Sequence, residues 1–231
     1  MTDLLDAFAW ILDPAQWTGA FSIPMLIAQQ LGYTVVGVGI AALIAVPIGW
    51  AIGHTGRGRE VAVAISGAAR AVPSFGLLVL LVLVIGVTRK PEAAVAAFVV
   101  LAIPSLLAGA YTGIQAIDRA TIDSARAVGM TWWQLLWRVE VPLGLPLLLG
   151  GLRSASLQVV ATVTIAAYIG LGGLGYPIIQ GIPLRDFARV LAGALLVALV
   201  ALALDGLLAL AQKVSVPRGV RLTTLPDPRG A

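Results

Sequence analysis

The chain has 231 residues, 59% of them hydrophobic and only 11% charged, against roughly 25% charged in ordinary soluble domains, so composition overrides the soluble fold that length alone would suit. It has no cysteine and one histidine, His54, which excludes a disulfide framework, a thiolate metal site and a histidine-built metal site. The 15 Lys and Arg exceed the 11 Asp and Glu by a net charge of +4, an excess that in a membrane protein reports orientation before it reports nucleic-acid binding.

The opening Met1-Thr2-Asp3-Leu4-Leu5-Asp6 lacks the positive charge that begins a signal peptide. Leu4, Leu5, Phe8, Ile11 and Leu12 recur at helical spacing, with Asp3, Asp6 and Asp13 among them. Residues 1–22 therefore read as an amphipathic segment at a membrane face, the alternative being a frayed terminus. From residue 23 to 212 the chain reads as an all-α transmembrane domain. A crossing needs about 20 mostly apolar residues, and five candidates follow: Leu31 to Gly53, Val61 to Val87, Ala93 to Ile117, Leu143 to Ile169 and Phe187 to Ala211. The second is broken at Pro73, and its first part, Val61 to Val72, is expected to lie along the membrane interface. Backbone groups in lipid must pair within their own segment, so the crossings are helices; the alternating ten-residue strands of a barrel are absent.

With the N-terminus outside, eleven of the 15 Lys and Arg fall in inner segments and four (Arg89, Lys90, Arg185, Arg189) in outer ones. This bias predicts a cytoplasmic C-terminus. The tail 213–231, with Pro217, Pro226 and Pro228, reads as a mostly extended cytoplasmic end.

The longest internal polar segment is 118–142. Asp118 is placed to cap a helix through Thr121, Asp123 and Arg126, and Gly129 to end it in a left-handed cap. Thr131 and Gln134 have capping-box spacing for a second helix, and Pro142 marks the entry to the next crossing. The expected product is a rigid hairpin carrying Arg119, Arg126 and Arg138, with Trp132, Trp133 and Trp137 on its second helix. Trp133 and Trp137 read equally as interfacial anchors or as partner contacts.

Other features have plainer readings. Gly170, Gly172 and Gly175 match G-x-G-x-x-G, but no βαβ unit or following acid supports a dinucleotide site; an outer re-entrant or hinge-like loop is expected. Gly49/Gly53 and Gly109/Gly113 have the spacing of close helix packing. His54 reads as a solvated loop residue. Arg70, Arg153 and Asp205 are expected near the inner ends of their helices, snorkelling or paired, which leaves the middle of every crossing uncharged. Ser105, Tyr111, Gln158, Thr162, Thr164 and Tyr168 are the polar mid-span candidates for a solute path, where aromatic rings can attract a quaternary ammonium.

Segment 118–142 also carries a resemblance. Asp123-Ser124-Ala125, three residues, Gly129, nine residues, then Val139-Glu140-Val141-Pro142 is similar in spacing to the cytoplasmic motif of ABC importer permeases, Glu-Ala-Ala with a following Gly and Ile-x-Leu-Pro. Asp for Glu, Ser for Ala and Val at both aliphatic positions are the departures. Ile44 to Gly49, Ile52 to Gly58, Arg70 to Ser74, Ile103 to Gly109, Leu157 to Thr162 and Ala166 to Gly175 resemble the osmoprotectant branch of that family. The resemblance implies a type I importer permease for glycine betaine, choline, carnitine or proline betaine in the inner membrane. It would have no cofactor and no enzymatic activity of its own. Asp123, Ser124, Ala125, Gly129, Val139, Val141 and Pro142 would dock on a cytoplasmic ATP-binding subunit. A second permease, identical or sister, and an extracytoplasmic binding protein would complete the assembly. The chain has no phosphate-binding loop, so ATP hydrolysis would lie in the partner. An importer for an amino acid or another small solute is the alternative. An ATPase-independent secondary transporter would instead show buried ionisable relays or pseudo-symmetric halves.

Overall fold

The computed structural model describes residues 2–216. The tail prolines and arginines beyond Val216 lie outside the described residues, as does the side chain of Arg70. The first helix, α1 (Thr2–Leu12), forms as the apolar spacing predicts. It packs on the last helix through the fully buried Ala7, while Leu5, Phe8 and Leu12 stay exposed on its other face. Trp17 in the following turn donates its indole N–H to the carbonyl of Ile11 at 2.7 Å.

The next helix, α2 (Ile23–Thr55), starts with Pro24 in its first turn, where a missing N–H costs nothing. It begins well before the expected Leu31 because the polar pair Gln29-Gln30 is accommodated inside the helix. Gln30 is fully buried. Its amide donates to the Val160 carbonyl at 2.9 Å and to Thr164 Oγ1 at 3.3 Å, and accepts from Leu174 N at 3.2 Å. With every polar group paired, burying it no longer carries the desolvation penalty that breaks a crossing.

Gly56 and Gly58 turn the chain into α3 (Arg59–Ala71), and Pro73 separates that helix from α4 (Ser74–Ile85). Ile65 of α3 shares an apolar groove with Ile44 and Ile48 of α2 and with Ile103 and Leu107 of α5 (Lys90–Gln115). So α3 packs against the bundle beside α5. A 12-residue α4 spans about 18 Å, short of the ~30 Å hydrocarbon core. Among the described residues four helices are long and apolar enough to cross a membrane; the fifth expected crossing is this helix pair, broken at Pro73.

The core is α5 (Lys90–Gln115) packed between α2 and α8 (Val141–Ala166). Phe98, Ala102 and Leu106 of α5 meet Ala41 and Ala45 of α2 and Val159 and Val163 of α8 in one buried cluster. Both predicted glycine pairs lie at these contacts. A Cβ on Gly53 would come within 2.8 Å of Ile114 Cβ, and one on Gly113 within 2.5 Å of the Gly144 carbonyl oxygen.

After α5 come α6 (Arg119–Ala127) and the short α7 (Trp132–Leu135). The second hairpin helix is not a separate unit: α7 passes through a π-helical turn, Leu136–Glu140, straight into α8. The Val141 N–H donates five residues back to the Leu136 carbonyl. Pro142 has no N–H, and its ring crowds the carbonyl of residue 138; the wider turn relieves that conflict. After α8 and the glycine-rich turn comes a further helix, α9 (Gly175–Leu184). Arg185 ends it in a left-handed conformation, with φ +54°. Finally α10 (Phe187–Ser215), capped by Asp186 on the Arg189 N–H at 3.0 Å, packs on α8, α9 and α1.

Candidate functional site

At one end of the bundle, α6 and α7 build the expected hairpin from local signals. Asp118 Oδ1 accepts from Ala120 N at 3.1 Å and caps α6. Gly129 has φ +81°, with Gly129 N donating to the Arg126 carbonyl at 2.9 Å and Met130 N to the Ala125 carbonyl at 3.2 Å. These are the paired bonds of a Schellman cap. Thr131 and Gln134 form the reciprocal capping box, at 2.9 and 3.4 Å. The turn is therefore fixed on both sides by hydrogen bonds, independently of the rest of the bundle.

The motif residues divide by environment. Asp123, Ser124 and Gly129 are exposed, Ala125 is buried, Val139 and Val141 are half-buried, and Pro142 is exposed. Ser124 satisfies its hydroxyl on the Ala120 carbonyl at 2.7 Å. Val128 and Trp133 stand out from the hairpin, more than 60% exposed. Trp137 is also exposed, with its ring edge-on to Trp50 of α2 at 5.4 Å.

A polar cavity of about 790 Å³ opens between the hairpin and the ends of α2 and α5, lined by His54, Arg59, Arg119, Asp123, Arg126 and Glu140 among others. His54 differs from its expected role. It sits in the last turn of α2, not in a loop, and its side chain is 3% exposed. Its Nδ1 pairs with Glu140 Oε2, and the Trp132 ring meets it edge-on at 4.4 Å. A buried acid needs such a partner, and Glu140 is supplied with one across 86 residues of sequence. His54–Glu140 and Trp50–Trp137 together fasten the π turn to the end of α2.

The six path candidates do not converge within one chain. Thr162 is buried, its hydroxyl donating to the Gln158 carbonyl at 2.8 Å. Thr164 is half-buried on Gln30 and the Val160 carbonyl, and Ser105 is half-buried on α5. Tyr111 is buried in the core near the hairpin end. Gln158 and Tyr168 are exposed, Tyr168 edge-on to Phe75 at 5.4 Å. Tyr111 and Tyr168 lie about 30 Å apart along the packed helices.

At the opposite end, the glycine-rich loop is folded onto the helices. Gly170, Gly172 and Gly173 all have positive φ. Gln29 accepts from Gly173 N at 2.9 Å, and Lys90 Nζ donates to the Ile169 carbonyl at 3.1 Å. Sequence reasoning missed Gln29, Gln30 and Lys90; the only signal was two adjacent amides at the edge of an apolar run.

Residues 43–216 match the family described as binding-protein-dependent transport system inner membrane component. The chain belongs to that family. The permease is 33% identical over 223 residues to the osmoprotectant import permease protein OsmW of Salmonella typhimurium, covering 94% of this chain and 100% of the relative. It is 30% identical to the carnitine transport permease protein OpuCD of Listeria monocytogenes (92% and 95% covered). It is 29% identical to the glycine betaine/carnitine/choline permease protein OpuCB of Bacillus subtilis (84% and 88% covered). Its fold is similar to that in inward-facing structures of the MetNI methionine ABC transporter, with a TM-score of 0.71 at 21% identity over 82% of this chain and 94% of that one. The permease is thus an all-α, multi-pass inner-membrane transport component with the type I importer fold.

Proposed function

We propose that this permease forms the translocation path of an ATP-driven importer for betaine-type osmoprotectants, and that the α6–α7 hairpin is its coupling element. The observation that carries the coupling reading is the hairpin itself, rigidly capped, continuous with α8 and matched residue by residue in motif spacing. Asp123 and Ser124 offer polar contacts on its exposed side, while Val128 and Trp133 offer apolar ones. A partner gripping this knob would move α8 through the continuous helical backbone of the π turn. It moves α2 through His54–Glu140 and Trp50–Trp137. The substrate class is supported by the relatives named for osmoprotectants, carnitine, choline and glycine betaine. In this reading the hairpin end faces the cytoplasm and a separate ATP-binding subunit. A binding protein delivers solute at the other end, and a second permease completes the path.

The test is reconstitution in liposomes. The permease alone should give no accumulation of glycine betaine under an ion gradient. Adding the ATP-binding subunit, the binding protein and ATP should give uptake. Concentrative uptake by the permease alone would overturn the reading in favour of a secondary transporter.

A further inference from the structure

Arg153 and Asp205 are paired, as their sequence positions allowed, at a place well inside the ends of their helices. Arg153 stands midway along the 26-residue α8, and Asp205 is ten residues from the end of α10, about 15 Å along it. The two form a bidentate pair, with Nε to Oδ1 at 2.9 Å and Nη2 to Oδ2 at 2.7 Å. Arg153 Nη1 also donates to Gln212 Oε1 at 3.1 Å, and Gln212 Nε2 is anchored on the Pro146 carbonyl at 2.8 Å. The paired side chains remain 32% and 28% exposed. Hydrocarbon does not solvate a guanidinium–carboxylate pair, so charges at this depth face protein or a water-filled passage.

We propose that Arg153 and Asp205 form a transit site for a zwitterionic solute, a proposal that rests on the betaine reading above. The carboxylate of Asp205 already occupies the guanidinium fork as a solute carboxylate would, with the planar geometry that favours arginine there. A betaine entering the site takes Asp205's place on the fork, while its quaternary ammonium lies against the freed Asp205 carboxylate. One internal pair is exchanged for two external ones, and the net charge of the site stays zero. That neutrality is what a lone arginine would lack: it would hold an anion tightly in a low-dielectric passage. Gln212 keeps Arg153 oriented through the exchange. Choline, a cation without a carboxylate, can use only Asp205.

The two charges therefore have opposite effects on selectivity, and the complete importer can be tested with glycine betaine and choline. Maximal uptake rates are the readout, since affinity in this reading is set at the binding protein. In Arg153→Gln the choline-to-betaine rate ratio should rise on the order of tenfold, the scale of a lost charged hydrogen bond. In Asp205→Asn it should fall. A static clamp between α8 and α10 predicts instead that both rates drop together, and ratios unchanged within about twofold in both variants would overturn the site. If neither single variant inserts, Arg153→Gln/Asp205→Asn removes the unpaired charge while keeping two amides that hydrogen-bond. Its ratio must rise, because betaine loses two partners and choline one; an unchanged ratio again refutes the proposal. Wild-type uptake is the separate control: a wild type that carries neither solute removes the betaine reading and this inference with it. Uptake of both, with unchanged ratios in the variants, removes the transit site alone.

Discussion

At the scale of single residues, Gly129 shows how a local requirement becomes a functional one. Its φ of +81° is left-handed, yet an added Cβ would meet nothing within 4 Å. The cost of a side chain there is purely conformational, about 1–2 kcal/mol for a β-branched residue. Asparagine visits this conformation far more readily. Gly129→Val should therefore insert normally but lose uptake and co-purification with the ATP-binding subunit, whereas Gly129→Asn should retain most of both. Equal activity in the two variants would mean that the turn geometry does not matter to docking. This residue was legible in the sequence because a Schellman cap and a capping box need only neighbours within six positions. His54 was not, since its partner Glu140 is remote in the chain and nothing local distinguishes a solvated histidine from a paired one. Arg153 and Asp205 stand out in the sequence as charges in apolar runs, but the bidentate contact between them joins residues 52 positions apart, which no local pattern encodes.

Elements were legible where one period repeats over a long stretch and obscure where chemistry interrupts it. The four long apolar helices have enough turns to override their internal prolines, Pro47, Pro104 and Pro146. By contrast, α9 carries Gly175, Pro177, Gly181 and Pro183 within ten residues, and its helical signal is lost among breakers. The packing of α3 on α5 depends on a partner that no pattern within α3 encodes. Between α5 and α8 the fit is limited by backbone contact. Gly113 and Gly144 face each other so closely that either Cβ would strike the other's main chain, at 2.5 and 2.9 Å. Carbonyl atoms cannot rotate away as a side-chain tip can, so the helices must separate. Gly113→Ala should cost about 1–3 kcal/mol by overpacking and lower the thermal midpoint of the detergent-solubilised permease. Gly206→Ala, at an open position with nothing within 4 Å, should leave it near wild type. A Gly113→Ala midpoint matching that of Gly206→Ala would show that the helix pair can slide apart without penalty.

For the whole molecule, the direction in which the bundle crosses the bilayer decides whether the hairpin can meet an ATP-binding subunit at all. Thr55 lines the cavity beside Asp123 and Arg126, so it belongs to the hairpin end. Thr88 precedes α5 at the other end, where Lys90 reaches the Ile169 carbonyl. Since α5 has 26 residues, the two ends are about 39 Å apart along that helix, enough to place them on opposite sides of a bilayer. The excess of Lys and Arg at the hairpin end is the basis on which a cytoplasmic placement is proposed for it. The path candidates are scattered over the fold: Gln158 and Tyr168 are exposed, while Thr162 and Tyr111 are buried, a difference that polar residue type alone does not encode. Orientation can be read on one chain. It has no native cysteine, and Thr55, Thr88 and Thr131 are all exposed, so single Cys substitutions at these positions report topology without background. A membrane-impermeant thiol reagent applied to intact cells should label Thr88→Cys and spare Thr55→Cys and Thr131→Cys until the membrane is permeabilised. The reverse pattern would put the hairpin outside the cell, and the coupling role proposed for it would then be physically impossible.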